Sequence, residues 1–208
     1  MNRDYQPLPI HELGPGAGFR RPTQAQAERV TPESPALHVM TDLMRVSPAT
    51  IRPQAPLAGA NQFMVTRGVR LLLVVDEGHE SLLGAITATD MLGERPMLVA
   101  TSRGLRRDEL TVADVMTPAT QVEVVALADV EGARVGHVLE TLRRAGRQHA
   151  LVVDFDLLPP ARPLDEPVKH AMVRGIFSIS QIARQLGVPV QTGGEVARTF
   201  SEIESAIK

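Results

Sequence analysis

From residue 37 onward the chain repeats itself, and a repeat of this length commits the fold to two copies of one unit packed together. Gly68 to Asp76 (GVRLLLVVD) is matched by Gly146 to Asp154 (GRQHALVVD), an offset of 78. Asp42-Leu43-Met44 is matched by Asp114-Val115-Met116 at an offset of 72, and Gly84 to Asp90 (GAITATD) by Gly175 to Gln181 (GIFSISQ) at 91. The growing offset predicts 6 extra residues before the central strand of copy two and a further 13 in the loop after it. That loop, near 157–171, holds Pro159, Pro160, Pro163 and Pro167, as a surface excursion should.

Both copies show one local grammar of strand, helix, strand, strand, helix. Thr50-Ile51-Arg52 is a short extended stretch closed by Pro53. Leu57, Ala60, Phe63 and Met64 then recur at helical spacing, with Gly68 as the stop. In copy two the helix carries Val135, Val138, Leu139 and Leu142 and stops at Gly146. The unbroken apolar runs Leu71 to Val75 and Ala150 to Val153 read as strands buried on both faces. A turn at Asp76-Glu77-Gly78 leads to a strand over 83–87, and short helices are expected over 90–93 and 181–186.

The expected organisation is a flexible Pro-rich tail over 1–36, a first motif over 37–95, a linker over 96–110, a second motif over 111–187 and a C-terminal tail over 188–208. Six of the 16 prolines fall before residue 36, which disfavours helix and ladder there. Val196, Phe200, Ile203 and Ile207 predict an amphipathic helix that docks on the module, a second copy or a partner.

Composition narrows the function. There is no cysteine, so disulfides, thiolate metal sites and cysteine nucleophiles are excluded. Aromatic residues are only 3% of the chain, with Phe 5, Tyr 1 and Trp 0, so the core is aliphatic and base-stacking platforms are disfavoured. A net charge of −2 offers no general attraction to nucleic acid or anionic membrane. No segment approaches the roughly 18–20 apolar residues of a membrane span, and residues 1–20 lack a secretory core, so a cytoplasmic location is expected. The six histidines show no metal-ligand spacing, and no nucleophile-elbow, Walker or kinase pattern occurs, so no enzyme activity and no catalytic cofactor are expected.

The ordered pieces, Asp-hydrophobic-Met, then Gly-x-x-x-Leu-x-Val-Val-Asp, then Gly-x-x-[Thr/Ser]-x-x-Asp, resemble a CBS-domain pair (Bateman module) protein of bacterial type over about residues 37–187. Leu73 and Leu151 stand where that family often has proline. The resemblance implies an α+β fold of two tandem CBS-type β-α-β-β-α units packed through their sheets as a pseudo-twofold module. It also implies a homodimer, an unidentified regulated protein as partner, and a regulatory adenosyl ligand such as AMP, ADP, ATP or S-adenosylmethionine. Onto copy one it places Thr50, Ile51, Arg70, Leu71, Leu72, Thr87 and Asp90 as ligand residues; a second, weaker site falls to Val122, His149, Ser178 and Gln181.

The chemistry of such a site can be argued from the side chains. Ribose hydroxyls need a carboxylate, adenine an apolar slot, and phosphate a cation or free backbone amides. Thr87 and Asp90 are three apart at a strand-to-helix junction. Asp90 is there either a ribose acceptor or a helix cap, and can be both. Gln181 lacks the charge-assisted acceptor pair of an aspartate. Arg95, Arg103, Arg106 and Arg107 either reach a phosphate tail or pair with Asp108 and Glu109. The alternative function is a ligand-free scaffold for dimerisation or protein interaction.

Overall fold

The computed structural model describes residues 29–78, 81–158, 168–188, 200–203 and 205. A 3-10 turn at Ala36–Val39 leads to β1 (Thr41–Asp42), β2 (Thr50–Ile51), α1 (Leu57–Arg67), β3 (Leu71–Val75), β4 (Leu82–Thr87) and α2 (Ala88–Leu92). Then come α3 (Arg95–Arg103), a 3-10 turn at Arg107–Glu109, α4 (Val112–Val115), β5 (Thr117–Pro118) and a 3-10 turn at Ala119–Gln121. The second half continues with β6 (Val124–Ala126), α5 (Leu127–Glu131), α6 (Val135–Ala145), β7 (His149–Leu158), β8 (Val168–Ser178) and α7 (Ile179–Gln185). This is an α+β chain of two β-α-β-β-α units, with α5 as an addition in the second.

The two long helices end for the same reason. Gly68 and Gly146 take φ of 65° and 62°, a left-handed cap that a side chain would strain, and each donates its N–H back to the last turn. On the preceding faces Leu57, Ala60 and Met64, or Val135, Val138, Leu139 and Leu142, are buried.

Each unit has a four-stranded sheet, ordered β2-β3-β4-β5 in the first and β1-β8-β7-β6 in the second. Leu72, Val74 and Ile86 face a helix-side core with Met64 and Met91. Val152 and Phe177 do the same in the second unit with Leu142 and Ile182. Leu73, Val75 and Ala85, and likewise Leu151 and Val153, are buried but belong to neither core, because they lie on the opposite sheet faces. Through these faces the two sheets pack, so each central strand is covered on both sides and reads as continuous Leu and Val.

The sequence copies and the packed units do not coincide. β1 pairs antiparallel with β8 of the second sheet (Thr41↔Ile176), while β5 pairs with β4 of the first (Ala85↔Thr117). Ala36 and Val39 are accordingly in the second core, and Leu110, Val112 and Val115 in the first. Each unit completes its sheet and core with the segment that precedes the other copy.

This exchange corrects the start of the repeat. Gly84 lies opposite Pro118 and Gly175 opposite Asp42, and the Met116 and Met40 side chains press on those two glycines. The equivalent segments are therefore Val39-Met40-Thr41 and Val115-Met116-Thr117, an offset of 76 rather than 72, so the second copy carries fewer extra residues before its central strand than the spacing predicted. Register makes a further equivalence: Thr50 lies opposite Leu73 and Val124 opposite Leu151, so Val124, not Val122, answers Thr50.

Two more expectations change. The stretch after residue 95, expected as a linker, is helical over Arg95–Arg103, with a proline in its first turn and Gly104 (φ 64°) stopping it. The insertion near 157–171 is not loop throughout. β7 and β8 stay paired as far as Leu158↔Val168, because backbone pairing continues past a register shift at Val152/Val153 and lengthens the hairpin. The four prolines of that insertion lie outside the described residues. In the C-terminal tail residues 200–203 are helical, and Phe200 (6% exposed) and Ile203 (1%) pack into the second core of their own chain. Val196 and Ile207 lie outside the described residues, as does 1–28 of the Pro-rich tail.

Candidate functional site

Between the two units lies a cleft of about 160 Å³. The first unit contributes Leu71 and Ala85 on the sheet, Thr87, Thr89 and Asp90 at the β4–α2 junction, and Thr117 of β5. The second contributes Val122 and Glu123 ahead of β6, and Gly146, Arg147, Gln148, His149 and Leu151 around the start of β7. The apolar floor is thus Leu71, Ala85, Leu151 and Val122, and the polar groups stand at the two strand ends.

Thr87 and Asp90 form a reciprocal cap on α2. The Thr87 hydroxyl and N–H both donate to Asp90 Oδ2, at 2.7 and 2.8 Å, and the Asp90 N–H donates to the Thr87 hydroxyl at 3.2 Å. This satisfies orphan amides at the helix start. Capping and ligand binding are compatible here because the cap uses Oδ2. The other oxygen, Oδ1, stands 3.7 Å from Nη1 of Arg95. Arg95 is itself held in place: Nη2 donates to the Met116 carbonyl at 3.0 Å and Nη1 to the Thr117 hydroxyl at 3.4 Å. Across the cleft Arg147 pairs with Glu123 at 3.1 Å.

His149 is the other unusual group. Its Nδ1 is enclosed and meets no hydrogen-bond partner. Burial, with a smaller contribution from the charge of Arg70 of the other unit, pushes its pKa down to about 4, so the imidazole is neutral at pH 7.

The sequence-predicted residues regroup. Leu71, Thr87 and Asp90 of the first set share one cleft with Val122 and His149 of the second. Thr50 and Ile51 do not line it: Thr50 pairs with Leu73 and Ile51 packs on the first core. Leu72 is fully buried in that core, so its side chain is closed to a ligand. Arg70 stands outside the lining and acts through its field on His149. Ser178 and Gln181 are also outside the cleft; the Gln181 carbonyl accepts from the Thr41 hydroxyl at 2.8 Å, and Ser178 is engaged with Ser180 at 3.0 Å. The cause is topological. Sheets that pack face to face bring the helix junction of one copy against the strand end of the other, whereas the sequence reading assembled each site within one copy.

Thr117, Glu123 and Arg147 line the cleft without having been expected there. Arg95, one of the arginines offered for a phosphate tail, stands beside Asp90 rather than in the lining. The other arginines of the inter-copy segment divide as follows: Arg103 pairs with Asp114, Arg106 with Asp108, and Arg107 donates to the Met91 carbonyl at 3.1 Å. Among the described residues no group of three His, Asp or Glu is placed to hold a metal ion, and no helix is long and apolar enough to cross a membrane.

A family model described as "CBS domain" matches residues 39–96. No curated protein matches the chain. Among solved structures it is similar to an uncharacterized conserved protein from Pyrococcus horikoshii, at 18% identity over 79% of this chain and 100% of that one, TM-score 0.49. It is also similar to the CBS-pair protein CBSX2 from Arabidopsis thaliana (19%, 74% and 94%, TM-score 0.43). A third is the CBS domain pair of MJ0100 in complex with 5′-methylthioadenosine and S-adenosyl-L-methionine (20%, 71% and 97%, TM-score 0.43). The matched segment at 39–96 is thus similar to a CBS domain, and the second half of the chain builds the same β-α-β-β-α unit again.

Proposed function

We propose that this chain is a non-catalytic regulatory module whose ligand, an adenosyl compound such as AMP, ADP, ATP or S-adenosylmethionine, sits in the cleft between the units. The observation that carries this reading is the arrangement around Asp90. A carboxylate with one oxygen spent on its cap keeps the other for a ribose hydroxyl. Thr87 and Thr117 share the lining with it, Leu71 and Leu151 offer aliphatic walls to a base, Arg147 is within the polar rim, and Arg95 stands behind Asp90. A ligand that touches both units acts as a signal to the extent that it binds one arrangement of them more tightly than another.

The test is calorimetry and thermal unfolding with AMP, ADP, ATP and S-adenosylmethionine. A ligand at 100 times its Kd adds about 2.7 kcal/mol if it binds only the folded chain. Asp90→Asn keeps an acceptor for the α2 cap but loses the charged ribose partner, so affinity should fall by roughly 10- to 100-fold with little change in the ligand-free Tm. Absence of any ligand-induced shift in the wild type rejects the reading.

A second reading, the ligand-free scaffold, has one observation on its side: Arg95 already faces the free Asp90 oxygen. If wild type binds nothing and Arg95→Ala does, the cleft is closed by its own arginine. For the homodimer, Leu92, Met97 and Leu98 on α2 and α3 are exposed and offer apolar area to a second copy. Leu98→Lys should then convert a sedimenting dimer to monomer; a wild type that is monomeric at every concentration rejects that assembly.

A further inference from the structure

A second cavity, of about 340 Å³, lies away from the cleft, between the second unit's sheet and the helices α5 and α6, and opens to solvent past Asp129, His137 and Thr141. Its walls are apolar, with Val125 and Ala150 on the strands, Val138 and Leu142 on α6, and Phe177 on β8. Pseudo-symmetry explains why it lies in the second unit. The shared glycine caps align α6 with α1 at an offset of 78, so Thr141 occupies the position of Phe63, and Ala150 that of Leu72. In the first unit the Phe63 ring packs on the core, with the Arg67 guanidinium 5.5 Å from its centroid. In the second unit the helix supplies a threonine where that ring would be, and the strand beneath supplies an alanine for a leucine. Two large-to-small differences on facing elements leave the space open, whereas a packed core tolerates few voids larger than a water molecule.

The rim is polar in a directed way. His137 Nδ1 accepts the Arg134 N–H at 3.0 Å, which leaves Nε2 as the donor of the neutral ring. Asp129 lines the rim with no ion-pair partner among the described residues. An apolar pocket of this size with a few convergent polar groups has the make-up of a small-molecule site. The geometry points to a second ligand site in this cavity, taking a one- or two-ring aromatic amine: its ring replaces the missing Phe63 counterpart and its ammonium meets Asp129. The site is separate from the adenosyl cleft, shares no lining residue with it, and does not depend on the reading of that cleft.

Tryptamine is a direct probe, because the chain has no tryptophan and the indole emission of the ligand is seen without background. Titrating the full chain into tryptamine should give a blue shift and a rise in anisotropy that saturate. Thr141→Phe, which restores the residue of the first unit, should abolish saturable binding and raise Tm, while leaving any AMP-induced shift intact. Asp129→Asn should weaken tryptamine by about tenfold through the lost charge-assisted contact. Ala150→Leu closes the cavity from the strand side and serves if Thr141→Phe does not fold. No saturable binding to the wild type, or equal binding to the wild type and a folded cavity-filled variant, overturns the site.

Discussion

Gly84→Ala is expected to destabilise the chain by about 3 kcal/mol, at the upper end for an overpacked core position. A Cβ at Gly84 would lie 2.4 Å from the Thr117 carbonyl oxygen and 3.2 Å from the Met116 sulfur. The oxygen belongs to the backbone of β5, paired with β4 at Gly84↔Pro118, so it cannot yield without opening that pairing. Gly175 is the equivalent position, and there a Cβ would meet the Met40 side chain, with Sδ at 2.4 Å and Cγ at 2.7 Å. A methionine side chain has rotamers to move into. Gly175→Ala should therefore cost less, about 1 kcal/mol. Urea unfolding of both variants measures the difference. A Gly84→Ala chain as stable as wild type, or a reversed order of the two, would show that the β4–β5 contact is looser than described.

His149 should dominate the acid side of the stability profile between pH 6.5 and 4. Its pKa falls from 6.5 in the unfolded chain to about 4 in the folded one, with burial the larger cause and Arg70 the smaller. The unfolded state therefore binds a proton in this window while the folded state does not. The stabilisation is fully present above pH 6.5 and is lost as the pH falls through the interval, reaching about 3 kcal/mol at 1.36 kcal/mol per pH unit. The carboxylates act in a lower window. Asp42, bonded to Arg174, and Asp114, held by the Thr111 backbone and hydroxyl, both have lowered pKa values, so their contribution is present above the ordinary carboxylate range and is lost below it. His149→Gln should flatten the limb from 6.5 to 4 and leave the steeper loss below 4 in place. Chemical denaturation at half-unit pH steps checks this; an unchanged upper limb in His149→Gln would remove the histidine from the account.

The central strands and long helices were legible because their signals are local. Leu71 to Val75 has no polar interruption, and Gly68 and Gly146 mark helix ends whatever packs around them. The two-residue strands β1 and β5 carry no such signal. Nothing in Thr41-Asp42 says which sheet it joins, and the choice of Asp42-Leu43-Met44 as a repeat element set the pairing four residues off. Arg95–Arg103 does not announce itself as a helix because its buried face is only Pro96 and Ala100, while its large apolar residues Met97 and Leu98 are exposed. At the site, Thr87 and Asp90 were identifiable from their spacing, since a capping box is local. That they face Arg147 and His149 rather than Thr50 depends on the packing of two sheets, which residue spacing within one copy does not encode.

The exchange of β1 and β5 also sets an order of events during synthesis. Once the ribosome has released residues up to Pro118, the first sheet has all four of its strands and its core has Leu110, Val112 and Val115. The segment from Ala36 to Asp42 must wait, because its partners Gly175 and Ile176 are made more than a hundred residues later. During that interval Val39 and Met40 are exposed on the nascent chain, next to a finished unit that has no place for them. A contact so distant in sequence closes late and slowly. The second unit, with its edge strand β1 made first and the partner strand β8 made last, is the half that matures last.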